Sequence, residues 1–223
     1  MKNADKYYIL QIVKETDAGD ETIYKNTDRL IGGYLKKYNL ASIPTDNIVL
    51  PSDYIDTTWF FLNNSQIIYK KAGLSMRLKG LTDHSELIIR GHGDVNNNRV
   101  SRVSAEVLAR SLIELGLQAS CRINITGCNL GRNSNISGNE RGTKSAQDVG
   151  AGSFAALFQK ELYRLRGLRN RVHARTAPVT VLEDGRKETF DFASETNGIH
   201  HQAHSKIVFT IDSVGVQNMQ FAY

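Results

Sequence analysis

Two short apolar runs, each ending in glycine and a reactive side chain, constrain this chain more than any other feature. The first ends at Gly91-His92-Gly93 and the second at Gly127-Cys128. An apolar run of this length predicts a buried strand, and the flanking glycines permit a sharp exit of the backbone. Open α/β sheets carry their functional groups at the carboxyl ends of parallel strands. We therefore predict that the imidazole and the thiol lie together on one rim of a sheet.

A thiol beside an imidazole is the pairing used in nucleophilic catalysis. The residues alone therefore indicate an enzyme in which Cys128 attacks the substrate and His92 handles the proton. The pairing does not fix the leaving group, so a deamidase or an acyltransferase stays open beside a peptidase.

The two cysteines cannot form a disulfide. Cys121 and Cys128 lie at opposite ends of one predicted strand. At about 3.3 Å per residue their Cα atoms are roughly 20 Å apart, whereas a disulfide needs about 4.4–6.8 Å. Two unbridged thiols indicate a protein that works in a reducing compartment. We expect Cys121 to be a structural thiol or an exposed residue at the start of the strand.

Composition adds one clue, a basic run in the C-terminal half. The 223 residues carry a net charge of +5, and residues 160–187 contain few acids. Such a run binds something anionic or forms a solvated face. No apolar stretch reaches the roughly 18 residues of a membrane span. We also expect no signal peptide, because the first residues lead directly into a strand-like run.

Strands and helices alternate along the chain until about residue 176, after which only strands are predicted. This order predicts one α/β domain over residues 1–223, in which residues 179–211 form a β-flap and a final strand. Predicted helices cover Glu21–Tyr38, a segment capped by Ser104 that ends near Gly116, and Phe154–Leu165. Residues 94–99 and 132–152 are predicted to be loops. Predicted strands outside the two runs cover Tyr7–Val13, Asn47–Leu50, Thr58–Leu62, Gln66–Tyr69, Val172–Thr176, Val179–Leu182, Lys187–Phe192 and Lys206–Ile211.

The order strand–His-Gly, helix, strand–Cys, helix resembles that of the caspase-like clan CD cysteine peptidases. Within that clan the chain resembles the cysteine protease domain of large bacterial toxins, both the RTX type and the clostridial glucosylating type. The resemblance covers essentially the whole chain. It is carried by Gly91-His92-Gly93 and by the segments 103–109, 125–130, 172–176 and 183–187, which read VSAEVLA, ITGCNL, VHART and EDGRK.

The resemblance implies a fold and a mechanism. The fold is a three-layer sandwich around a mostly parallel sheet, with a C-terminal β-hairpin flap. Cys128 is the implied nucleophile, His92 the general acid/base, and the backbone N–H groups of Gly93 and Cys128 the oxyanion donors. Asp20 matches an aspartate that orients the histidine in some members. The alternatives for that position are a helix N-cap at Asp20 or a role for the nearby Asp17.

The resemblance also gives the basic residues a ligand. The toxin domains are activated by inositol hexakisphosphate, which binds a basic cleft across the hairpin from the catalytic residues. The matching positions here are Lys36 or Lys37, Arg175, Arg186, Lys187 and Lys206. One position departs from the family, because Glu86 stands where a basic residue is expected. Arg77, Lys79 and Arg90 are candidates to replace it, and the alternative is a lower affinity for the ligand.

The resemblance predicts a cysteine endopeptidase that cuts its own toxin chain or a host protein. Such a domain would be secreted by a bacterium, act in the host-cell cytosol, and need no metal. We expect a monomer that binds peptide and inositol phosphate but not nucleic acid. The rival from another class is a non-catalytic module that binds polyphosphate or nucleic acid through the basic run. Its affinity would fall steeply with salt and would not depend on Cys128.

Overall fold

The computed structural model describes residues 5–12, 21–49, 76–138, 140–189 and 204–222, and these build a mixed seven-stranded sheet flanked by helices. The sheet strands are β1 (Tyr7–Gln11), β2 (Ile48–Val49), β3 (Glu86–Arg90), β7 (Arg122–Thr126), β8 (Arg171–Arg175), β11 (Lys206–Ile211) and β12 (Gln217–Phe221). They lie in the order β12-β11-β8-β7-β3-β1-β2. Strands β2, β1, β3, β7 and β8 are parallel, whereas β11 and β12 are antiparallel to their neighbours.

One face of the sheet is apolar and carries the larger core. Side chains alternate across a strand, so Ile123 and Ile125 of β7 point to this face together with Leu87 and Ile89 of β3. They pack against α2 (Ala105–Glu114) and α4 (Phe154–Arg166). Ser104 and Ser153 cap these two helices, each accepting a hydrogen bond from the backbone N–H three residues on.

The opposite face is apolar only near β1 and polar beyond it. Tyr7, Ile9 and Ile88 pack against Leu30 and Tyr34 of α1 (Glu21–Tyr38), which forms the third layer. Further along, the same face of β7 presents Arg122, Asn124 and Thr126. The three layers and the mostly parallel sheet confirm the predicted α/β class, consistent with a caspase-like fold.

A separate hairpin, β9 (Val179–Val181) and β10 (Lys187–Thr189), lies against α1. A Cβ added to Gly33 would lie 2.6 Å from the carbonyl oxygen of Gly185 in the hairpin turn, so the two backbones touch. Glycine inside a helix is unfavourable, and here the close approach explains its use. Arg29 and Glu183 add an ion pair of 3.4 Å across the same contact. The predicted hairpin at residues 184 and 185 is confirmed, and its continuation past Thr189 lies outside the described residues.

The structure differs from the sequence predictions in three places. Lys206–Ile211 is not the last strand, because β12 follows it along the edge of the sheet. Residues 94–99 are not a plain loop but the turn of a small sheet formed by β4 (Gly93–Asp94), β5 (Arg99–Val100) and β6 (Val103–Ser104). Within residues 132–152, a short helix α3 (Ala146–Gly150) is capped by Ser145. The predicted strands Thr58–Leu62 and Gln66–Tyr69 lie outside the described residues.

Candidate functional site

The register of the sheet brings the two predicted catalytic segments together. Strands β3 and β7 are parallel neighbours whose last paired residues are Arg90 and Thr126. His92 and Cys128 therefore each lie two residues beyond the Arg90–Thr126 pair. A Cβ added to Gly93 would lie 1.8 Å from the carbonyl oxygen of Cys128 and 2.8 Å from its nitrogen. The glycine lets the two backbones touch, next to the N–H groups predicted to bind the oxyanion.

Ser101 fixes the backbone of His92. The His92 N–H donates to Ser101 Oγ at 3.0 Å, and the Ser101 N–H donates to the His92 carbonyl at 2.7 Å. Ser101 Oγ in turn donates to the carbonyl of Ile12, at 3.0 Å, just after β1. Ser101 is buried and has a φ of 44°, an uncommon backbone for this residue type. Sequence reasoning missed this serine, because a single polar residue in a turn carries no signal of its partners.

The Cys128 thiol lies against the first strand of the hairpin. The Val179 N–H donates to Sγ at 3.4 Å, and Sγ lies 3.7 Å from the Val179 carbonyl oxygen as a donor. Arg90 lies nearby and is buried, with Nη1 donating to the Gly91 carbonyl at 3.0 Å. Burial lowers the pKa of Arg90, and its electrostatic interaction with Cys128 opposes that shift.

Cys121 has none of these features. It is fully buried, and both cysteines are free. Burial raises the pKa of the Cys121 thiol to about 12, so the reactive thiolate is suppressed there. The burial of Cys121 favours the structural role over the alternative of an exposed residue at the start of the strand. Asp20 and Asp17 lie outside the described residues, so the predicted orienting role of Asp20 stays a prediction.

A cleft of about 820 Å³ opens on the polar face of the sheet, between α1 and the hairpin turn. Among its described lining residues, seven side chains are cationic and two are carboxylates, Glu86 and Asp184. The six candidate ligands of the polyanion, counting both Lys36 and Lys37, are all among the seven cations. The cations are Lys36, Lys37, Arg122, Arg175, Arg186, Lys187 and Lys206.

Crowding and burial disfavour positive charge in this cleft. Burial, followed by the charge of Arg175, lowers the pKa of Lys187 to about 7. The pKa of Lys206 falls for the same two reasons. Burial also lowers the pKa of His173 to about 3, so this imidazole is neutral at physiological pH. The cleft therefore holds cations that a dense anion would stabilise.

Lys187 connects the cleft to the strand of the predicted nucleophile. Its Nζ donates to Thr126 Oγ1 at 2.9 Å, two residues before Cys128, and lies 5.4 Å from the centre of the Tyr34 ring. In the hairpin, Lys187 pairs with Val181, and the same strand starts at Val179 against the thiol. The hairpin thus touches both the cleft and Cys128.

Glu86 sits on the floor of the cleft as the first residue of β3, with a side chain 1% exposed. It forms an ion pair with Arg122 and accepts hydrogen bonds from Tyr34 Oη, at 2.9 Å, and from Asn124 Nδ2. Arg77, Lys79 and Arg90 do not line the cleft, so none of them stands where the basic residue is expected. Arg122, on the next strand, does line the cleft and is paired with Glu86. The signal for Arg122 was the alternation of residues 122–126, in which every second residue is polar.

Comparison with known proteins identifies the family of the chain. Residues 58–190, more than half of the chain, match the sequence pattern of the Peptidase C80 family. The chain belongs to the Peptidase C80 family. This family comprises the cysteine protease domains of large bacterial toxins, so the chain is a cysteine peptidase of the toxin type, with a peptide as substrate. The C80 match includes His92, Cys128 and the hairpin turn. No protein of curated function matches the chain.

Two further findings concern partners. Within the described part of the chain, no helix has the length and apolar character needed to cross a bilayer. Among those same residues, no cluster of three or more His, Cys, Asp or Glu side chains is arranged to hold a metal ion.

Proposed function

We propose that this domain is a cysteine endopeptidase in which Cys128 is the nucleophile and His92 the general acid/base. The main support is that, in a chain of the C80 family, His92 and Cys128 each follow the Arg90–Thr126 pair of adjacent parallel strands by two residues. The Cys128 thiolate would attack the scissile carbonyl carbon, forming a C–S bond, while the oxyanion accepts from backbone N–H groups at Gly93 and Cys128. His92 would protonate the departing amine as the C–N bond breaks, and water would then hydrolyse the thioester.

We also propose that inositol hexakisphosphate activates the enzyme from the basic cleft. Seven cations that line one cleft favour a compact polyanion as ligand, because Arg and Lys bind phosphate oxygens by charge and by N–H donation. Bound phosphate would fix Lys187 and Arg186, and through the hairpin the position of Val179 against Cys128. A ligand shifts the enzyme only by its differential affinity for the active state, so binding and activation must be linked.

The remaining assignments concern context. We propose secretion from a bacterium and action in the reducing cytosol of a host cell, in keeping with two unbridged thiols. The substrate is either the toxin's own chain or a host protein. Mass spectrometry of the intact products distinguishes the two, and it also separates peptide cleavage from deamidation or acyl transfer by the mass change.

Covalent labelling by a peptidyl electrophile tests both parts. We expect labelling of Cys128 to accelerate with inositol hexakisphosphate and to vanish in Cys128→Ala, whereas Cys121→Ala remains labelled. Label found on Cys121 would refute the catalytic assignment. Calorimetry that detects no binding of inositol hexakisphosphate at micromolar concentration in modest salt would refute the activator and leave the peptidase assignment intact.

A further inference from the structure

Of the two carboxylates among the described lining residues of the cleft, only Glu86 is buried. Glu86 Oε2 pairs with Arg122, and Glu86 Oε1 accepts from Tyr34 and Asn124, so both oxygens are occupied within the protein. The carboxylate is almost completely shielded from solvent, whereas the Arg122 side chain is 22% exposed toward the cleft. Glu86 thus pairs with Arg122 from the side of the guanidinium that faces away from solvent.

In the empty cleft this carboxylate is favourable. The charge of Glu86 supports the protonated forms of Lys187 and Lys206, opposing the effects of burial and of neighbouring cations. Removing one partner of such a shielded pair leaves the other charge uncompensated, which is strongly destabilising. Glu86 therefore helps the cationic walls to stay assembled when no ligand is bound.

In the occupied cleft the same carboxylate is unfavourable. A phosphate near Arg122 is repelled by Glu86 and must compete with it for the guanidinium N–H groups. Asp184 differs, because it pairs with Arg186 at 2.6 Å on an exposed turn where solvent screens the charges. Of these two described acids, Glu86 is the one whose effect on a bound polyanion is screened less by solvent.

We propose that Glu86 is the resident counter-ion of the cleft, which withholds Arg122 from the polyanion and so sets the ligand concentration required for activation. This inference rests on the proposed activation by a polyphosphate. It predicts that a neutral residue at position 86 yields a domain that is less stable when empty but binds the ligand more tightly.

Glu86→Gln tests this inference against a matched control, Glu188→Gln. Glu188 is on β10, carries the same charge and does not line the cleft. By calorimetry we expect Glu86→Gln to bind inositol hexakisphosphate about tenfold more tightly, a typical size for one coupling interaction, and Glu188→Gln to bind as the wild type does. The affinity of Glu86→Gln should also fall more steeply with salt, because Arg122 becomes a further phosphate contact. Its melting temperature without ligand should be lower.

The double variant Glu86→Gln/Arg122→Gln covers the case in which the single variant does not fold, since it removes the pair together. If Glu86 withholds Arg122, this variant should bind within about threefold of the wild type, far less than the typical effect of a lost charged contact. A tenfold loss in the double variant would mean that Arg122 already serves the ligand, and the inference would be wrong. Equal or weaker binding by a folded Glu86→Gln also refutes it, while wild-type binding upholds the activator. Absence of binding by wild type and variants alike removes both.

Discussion

At the scale of single residues, the predicted catalytic histidine depends on a serine that does no chemistry. Ser101 receives the His92 N–H, returns its own N–H to the His92 carbonyl, and anchors both to Ile12. Backbone donors and acceptors that lose a buried partner cost free energy and relax toward other geometries. The backbone that carries the imidazole is thus held by hydrogen bonds that join the segments of Ile12, His92 and Ser101.

Ser101→Ala should slow the labelling of Cys128 by a peptidyl electrophile about tenfold, since small misplacements of catalytic groups are costly. The matched control is Ser104→Ala, which removes the N-cap of α2 and costs about 1 kcal/mol of stability without touching the histidine. Both variants should melt earlier than the wild type, so stability alone does not separate them. Equal labelling rates for the two folded variants would show that Ser101 has no positioning role.

At the scale of elements, the contact between α1 and the hairpin turn lies beside the cleft and positions the hairpin, which also contacts the Cys128 thiol. Gly33 touches Gly185 backbone to backbone, whereas its neighbour Gly32 has no atom within 4 Å of an added Cβ. Substitution of these two adjacent glycines should therefore have opposite effects on stability. Gly33 is required by packing, whereas Gly32 only lowers the stability of the helix.

Gly33→Ala should destabilise the domain by about 1–3 kcal/mol, the usual cost of overpacking, and weaken activation by inositol hexakisphosphate because the hairpin is pushed outward. Gly32→Ala should instead stabilise the helix by up to about 1 kcal/mol and leave activation unchanged. Melting temperatures and ligand-dependent labelling rates measure the two effects. If the Gly33→Ala domain were as stable and as strongly activated as Gly32→Ala, the contact between Gly33 and Gly185 would not position the hairpin.

The sequence predicted elements well where one pattern decided the structure. The helix Glu21–Tyr38 has its predicted bounds, and the strands leading to His92 and Cys128 are parallel neighbours as expected. Strand β12 was missed because Gln217–Phe221 is a half-exposed edge strand with little apolar signal. The small sheet at Gly93 was missed because its strands are two residues long and are held by tertiary contacts.

Predictions for the site were more complete for charge than for contact. The six basic residues line one cleft, but Arg122 and the compensating Glu86–Arg122 pair did not emerge from the sequence. Their partnership depends on register across two strands, which a single sequence does not give. The alternation of residues 122–126 held the necessary hint, since a parallel strand buried on both faces should be apolar throughout.

At the scale of the whole molecule, the sheet separates two tasks by face. The apolar face holds the core that supports the rim carrying His92 and Cys128, and the polar face holds the cations. Because the charges converge on one face, the empty domain bears an electrostatic cost that pH can change. Lys187 is the group through which this cost is most visible, since its pKa falls from an ordinary 10.5 to about 7.

Binding of a polyanion should therefore be coupled to proton uptake by Lys187. Burial lowers this pKa, and Arg175, Lys206 and Lys37 lower it further against the opposing effect of Glu86. In the empty domain between about pH 7 and 10.5 the unfolded chain holds more protons at this site, so the contribution of Lys187 to stability rises with pH across that window. A bound phosphate restores the protonated form, so affinity should decline as pH rises above about 7.

Calorimetry at pH 8 in buffers of different ionisation enthalpy measures the uptake of protons on binding. Lys187→Met should take up nearly one proton fewer than the wild type on binding inositol hexakisphosphate, because the ligand's own phosphates titrate alike in both experiments. Equal uptake by the two proteins would mean that Lys187 does not change its protonation when the cleft fills.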